Sequence, residues 1–200
     1  MSLRHNDQHP SVRLADYQPP AWRVDTIELD FDLGITHTDV HAKLHLKRDG
    51  DGPLMLDGEN LDLVAVKLDG HALDASDYDH DDSVLTVPGA EDGSVLETHV
   101  RLDPSANTAL EGLYLSGQPE TGFLLTQCEA QGFRHITFMP DRPDVQSRYT
   151  VTLRADRERF PTLLAGGNPD GAGELEDGRH WARFVDPHPK PTYLFALVAG

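Results

Sequence analysis

The sequence predicts an all-β fold, an antiparallel β-sandwich with little helix. Three observations carry this. Apolar residues recur with period 2 in short runs, Asp/Gly/Pro turn signals separate those runs at close intervals, and no capped amphipathic helix of any length interrupts them. Residues 1–20 are polar and end in two prolines, which predicts an N-terminal arm; residues 21–200 are expected to form one β-sandwich domain. Ile27, Leu29, Phe31, Leu33 and Ile35 alternate with Glu28, Asp30 and Asp32, and Val40, Ala42, Leu44 and Leu46 alternate with His41, Lys43, His45 and Lys47. The short polar stretch between the two runs predicts an antiparallel hairpin. Further strands are expected near 53–57, 62–68, 83–87 and 95–102, with Gly supplying the positive φ of the turns at 49–52, 57–58, 69–70 and 88–89. ANTALEGLY, from residue 106, has room for a turn or two of helix. Tyr149, Val151 and Leu153 alternate again, as do residues 179–185, with Ala182 and Phe184 on one face and Trp181 and Val185 on the other. PTYLFALVAG, at 191–200, is nearly continuous in apolar residues and reads as a strand buried on both faces, with the natural chain expected to run on into another domain.

Composition narrows the function classes. A chain of 200 residues buries roughly 70% of the surface its unfolded form exposes, so its core needs no covalent staple. Cys128 is the single cysteine, which excludes an internal disulfide and agrees with a reducing compartment. The first 20 residues lack the apolar stretch of a signal peptide, and no run reaches the ~20 apolar residues of a membrane span, so a cytoplasmic protein is expected. The net charge of −17 repels phosphate backbones and anionic lipid; it excludes nucleic acid and membranes as partners and favours cationic ligands.

His37, His41 and His45 recur every fourth residue, but on a strand such residues stand roughly 13 Å apart and cannot share one metal ion, so they read as a solvated face. Asp77, Asp79 and Asp81 begin like a calcium loop, yet the sixth and twelfth positions hold Asp82 and Pro88 rather than Gly and Glu, leaving an acidic turn. HExxH, CxxC, GxSxG and a Gly-rich phosphate loop are all missing. Cys128 with His135 is a formal thiol-and-base pair, but a lone thiol is more often packing.

The run TQCEAQGFRHITFMPDRPDV, residues 126–145, differs from everything around it. If residues 123–128 are extended, the side chains of Gln127 and Glu129 point one way and Cys128 faces the core. An amide oxygen and a carboxylate on one face can receive a cation bearing several N–H donors. Arg134 and His135 are the alternative partners for Glu129, and the residues alone leave the ligand unspecified.

That run, together with NTALEGLYLSG (107–117), GELEDGRHW (173–181) and DPHPKPTYLFALVAG (186–200), resembles the amino-terminal domain of the M1 family of zinc-dependent aminopeptidases, in the bacterial branch. The resemblance covers nearly the whole chain and is weakest over residues 1–100. It implies a saddle-shaped β-sandwich that packs on a thermolysin-like catalytic domain of the same chain. It also implies a parent enzyme that removes N-terminal amino acids from peptides with zinc as cofactor. The HExxH helix, the downstream Glu and the GAMEN-type loop of that family do not occur in residues 1–200. No catalytic residue, no metal ligand and no bound cofactor are therefore expected in this stretch, which by itself should be inactive. By the same resemblance Gln127 and Glu129 are the substrate-binding residues, holding the free α-ammonium of the peptide, and the Glu129–Ala130 peptide is expected to be cis. The alternative reading is a stand-alone, non-catalytic binding module with an acidic face.

Overall fold

A computed structural model describes residues 13–200; the predicted arm thus lies partly outside the described residues. Its described part forms a 3₁₀ turn at Leu14–Asp16, and Tyr17 donates its hydroxyl to Asp144, 3.0 Å away. In chain order the strands are β1 (Trp22–Asp32), β2 (Thr38–Arg48), β3 (Leu54–Asp57), β4 (Asp62–Leu68), β5 (His71–Ala72), β6 (Asp79–His80), β7 (Val84–Val87), β8 (Val95–Leu102), β9 (Gly112–Ser116), β10 (Phe123–Gln127), β11 (Ser147–Asp156), β12 (Leu163–Ala165), β13 (Asn168–Glu174), β14 (Arg179–Lys190) and β15 (Leu197–Ala199). Helix is confined to four 3₁₀ turns among the described residues.

The strands form three sheets. Eight lie in the order β13-β14-β11-β1-β2-β8-β4-β5, four in the order β12-β15-β10-β9, and three in the order β3-β7-β6. Pairing is antiparallel except between β1 and β11, which run parallel. A parallel pair needs a long crossover, and here more than half of the chain lies between the two strands. The alternating residues of β2, β8 and β11 bury one face, as their patterns require: Val40, Ala42, Leu44 and Leu46; Leu96 and Val100; Tyr149, Val151 and Leu153. β1 starts earlier than its alternation suggests, because a bulge between Val24 and Thr26 shifts its phase. Trp22 and Val24 before the bulge and Ile27, Leu29 and Phe31 after it therefore all reach the core.

Two expectations give way to the structure. ANTALEGLY forms no helix. Asn107 donates its amide to the carbonyls of Glu111 (2.7 Å) and Leu113 (3.0 Å) and accepts from the Leu110 amide (3.2 Å), so a side chain takes the backbone groups a helix would use. The C-terminal run is not buried on both faces. It makes a 3₁₀ turn at Thr192–Leu194 and then β15, with Phe195, Leu197 and Ala199 inside but Leu194 54% and Val198 39% exposed. The reason is topological: β15 belongs to the four-stranded sheet, whose outer face no described element covers.

An aromatic block joins that small sheet to the large one. Phe195 stacks on Phe31 of β1 at 6.2 Å, tilts against Tyr149 of β11 at 5.9 Å, and meets the edge of Phe133 at 5.3 Å. Phe133 belongs to the unusual 126–145 run, so the run is pinned by its own aromatic onto both sheets.

Candidate functional site

β10 supplies the platform. Leu124 points inward and is fully buried, whereas Phe123 and Gln127 on the opposite face are exposed. Cys128 is buried and Glu129 is exposed, so Gln127 and Glu129 stand on the outside with the thiol between them facing the core. The Gln127 side-chain amide donates to the backbone carbonyl of Glu129 at 3.1 Å, and its carbonyl oxygen accepts from no described residue. The peptide after Glu129 is cis, as the resemblance implies. The chain then turns back tightly, with the Gly132 amide donating to Cys128 O at 2.8 Å. A Cβ at Gly132 would stand 2.3 Å from the backbone oxygen of Gln127, so only glycine permits this approach.

The charged residues that follow are all tied down. Arg134 donates its backbone and Nε hydrogens to Asp141 Oδ2, at 3.2 and 3.1 Å, and its NH1 reaches Glu59 Oε1 at 3.3 Å. Burial works against the guanidinium charge, but the Asp141 hydrogen bond and the nearby Asp57 and Glu59 outweigh it and raise its pKa. Asp141, 2% exposed, also accepts from the Thr192 hydroxyl, while its amide donates to Asp57 Oδ2 at 2.8 Å. Asp57 and Met139 exchange backbone hydrogen bonds. His135 binds Glu59 and Glu111, and Arg142 pairs with Asp144. A cleft of about 500 Å³, lined in part by Asp62, Asp103, Asn107, Glu111 and His135, opens beside this network.

Arg134 and His135, the alternative partners for Glu129, are thus engaged elsewhere, and the Glu129 carboxylate forms no hydrogen bond or ion pair with a described residue. Their actual partners, Asp57, Glu59, Glu111 and Asp141, with Thr192 behind Asp141, are the residues sequence reasoning passed over. Asp57 and Gly58 read only as a turn; in the fold, a Cβ at Gly58 would strike the Phe138 ring, so this glycine is what lets the run dock on β3.

The remaining candidates resolve simply. Burial, with the charge of Asp141, pushes the Cys128 thiol up to about 12, the reverse of what a nucleophile needs. His37 and His99 both bind Asp39, at 2.8 and 2.6 Å; His41 stacks on His99 with ring centroids 4.1 Å apart; His45 pairs with Glu28. Asp81 accepts from the amides of Ser83 and Val84, which ties the acidic turn and lowers its pKa. Among the described residues no three His, Cys, Asp or Glu side chains are placed to hold a metal ion, and no helix is long and apolar enough to cross a membrane.

Comparison with known proteins places these features in context. Residues 20–194 match the family described as the Peptidase M1 N-terminal domain. The chain is 52% identical to Aminopeptidase N of Caulobacter vibrioides over 196 residues, 97% of this chain, and 46% identical to Aminopeptidase N of Escherichia coli K12 over 96% of it. It spans only 22% of the length of either relative. Among solved structures, Legionella pneumophila aminopeptidase A in complex with aspartic acid superposes with a TM-score of 0.86 at 31% identity, covering 94% of this chain and 22% of that one. Native yeast LTA4 hydrolase shares the fold, with a TM-score of 0.73 at 19% identity over 90% of this chain and 29% of that one.

Proposed function

Since the chain belongs to the Peptidase M1 N-terminal domain family, we propose that it is the part of an aminopeptidase that receives the substrate's free α-amine, with Gln127 and Glu129 as the receptor. One observation carries this reading. In a run whose other charged side chains are paired, the Glu129 carboxylate has no hydrogen bond or ion pair to a described residue, and the Gln127 side chain is exposed beside it on the same side of Cys128. An exopeptidase must count from the chain end, and that end differs from an internal amide by its charge and its N–H donors. A carboxylate and an amide oxygen read both features. Holding the amine fixes the position of the first peptide bond, and such placement can supply orders of magnitude in rate without bond-making by these residues.

A second observation supports the reading that this domain packs on a catalytic domain. Leu164, Val198, Leu125 and Tyr114 form one cross-strand row on the outer face of the small sheet, and Phe123 stands beside Leu125 on the same face. Leu164 is 52% and Phe123 42% exposed, and the row runs up to Gln127. An apolar face of this kind normally has a partner, whereas a stand-alone acidic binding module should be polar here. Zinc, which the M1 zinc metallopeptidase of Deinococcus radiodurans carries by name, does not fit the residues of this chain, because no three potential ligands converge among the described ones. The metal and the hydrolytic step are assigned to the remainder of the enzyme.

The test is Glu129→Ala in the full-length enzyme. Removing one member of a charge pair formed with substrate costs about 2–5 kcal/mol, which corresponds to a fall in kcat/KM of about tens to thousands of fold. An unchanged kcat/KM on an unblocked dipeptide overturns the anchoring role.

A further inference from the structure

His135 has a side chain only 14% exposed, and each of its ring nitrogens meets an acceptor. Nδ1 lies 3.1 Å from the backbone oxygen of Glu59, and a carbonyl can only accept, so Nδ1 carries a hydrogen. Nε2 faces Glu111 Oε2 at 3.4 Å and Glu59 Oε2 at 3.8 Å. Both ends of the ring are thus engaged, Nδ1 hydrogen-bonded to the Glu59 carbonyl and Nε2 within ion-pair distance of two carboxylates.

The position of this ring matters because of what stands over it. Glu111 directly precedes Gly112, and Gly112 is the residue paired with Gln127 across β9 and β10. Gly112 has φ +73°, and a Cβ there would lie 2.7 Å from His135 Cβ, so the ladder rung carrying Gln127 rests on His135. Apart from His135, no described group pairs with the Glu111 carboxylate.

We propose that His135 is a positioning residue for the amine receptor: by holding Glu59 and Glu111 together it fixes the start of β9, and with it the end of β10 that presents Gln127. The same contact engages Glu111, whereas Glu129 has no partner among the described residues. The proposal rests on the reading of Gln127 and Glu129 as the anchor.

The experiment measures KM and kcat of the full-length enzyme on an unblocked aminoacyl substrate. His135→Asn keeps a donor in the place of Nδ1 and removes Nε2; Glu111→Ala removes an exposed side chain with little prospect of unfolding. Each is expected to raise KM about tenfold, the scale of one lost polar contact, with kcat within about twofold. The double variant is expected to be no worse than either single one, because both break the same contact. A Glu111→Ala enzyme with unchanged KM overturns the proposal, as does a His135→Asn enzyme that loses only thermal stability. Fully additive effects overturn it too. If Glu129→Ala is harmful while Glu111→Ala is not, this inference alone falls; if Glu129→Ala is also harmless, the anchor reading falls with it.

Discussion

Gln127 hands its side-chain amide to the backbone oxygen of Glu129, 3.1 Å away, and so ties its own side chain to the backbone that carries the Glu129 carboxylate. The relationship makes the two residues unequal. Glu129 brings charge, and Gln127 brings one neutral acceptor held in place by a local bond. In the full-length enzyme Gln127→Ala is expected to lower kcat/KM by about five- to tenfold, the scale of one neutral hydrogen bond. This is well short of the Glu129→Ala loss, and a side-by-side kinetic comparison of the two variants checks the order.

Arg134 is 15% exposed at its side chain and Asp141 is fully buried there, so truncating Arg134 strands a carboxylate away from water. Arg134→Met should destabilise the fold by about 3–5 kcal/mol, as breaking a buried pair commonly does. Urea unfolding of the 200-residue chain measures it, and the loss should shrink in an Arg134→Met/Asp141→Asn double variant.

Gly132→Ala tests close packing without a conformational penalty, because Gly132 has φ −78°, which any residue adopts. The added methyl would meet backbone oxygen rather than a movable side chain, 2.3 Å away. A loss of about 1–3 kcal/mol is expected, the usual cost of overpacking, read as a lowered urea midpoint.

Stability should fall in acid in two stages set by the His37–Asp39–His99–His41 group. Packing and the charge of His99 lower the His41 pKa below its ordinary 6.5, so the unfolded chain takes up a proton that the fold resists, and stability declines as pH drops below about 6.5. Partial burial alone would raise the Asp39 pKa, but hydrogen bonds from His99 and His37 outweigh it and hold it below 3.8. The stability Asp39 contributes is present above that value and lost as pH falls through its lower folded one. Thermal unfolding from pH 7.5 to 5 should show a decreasing Tm, and His41→Gln should flatten that first limb.

Cys128, with its thiol pushed up to about 12 and buried, should resist alkylation in the native chain and react only on unfolding. Iodoacetamide labelling followed by mass measurement, with and without urea, checks this. The same reagent should leave the activity of the full-length enzyme unaffected at this position.

Much of this protein was legible in the order of its residues. Period-2 alternation marks β2, β8 and β11 because a strand's two faces are set by neighbours two apart, which is local information. The outward placement of Gln127 and Glu129 around Cys128 follows from the same rule, and the 126–145 run announced itself by composition. What alternation could not supply is the identity of partners far away in the chain. Arg134 had Glu129 five residues before it, yet the fold brought it Glu59 from 75 residues away together with Asp57 and Asp141. The parallel pairing of β1 with β11, and the bulge that rephases β1, likewise depend on which strands meet. The C-terminal run looked like a strand buried on both sides because hydropathy records how apolar a segment is, not how many layers cover it; the tertiary arrangement placed β15 in a sheet with one side open. Sequence determined which residues of the 126–145 run carry charge, and tertiary structure decided that Arg134, His135, Asp141, Arg142 and Asp144 are paired while Glu129 has no described partner, because pairing energy depends on distance in space.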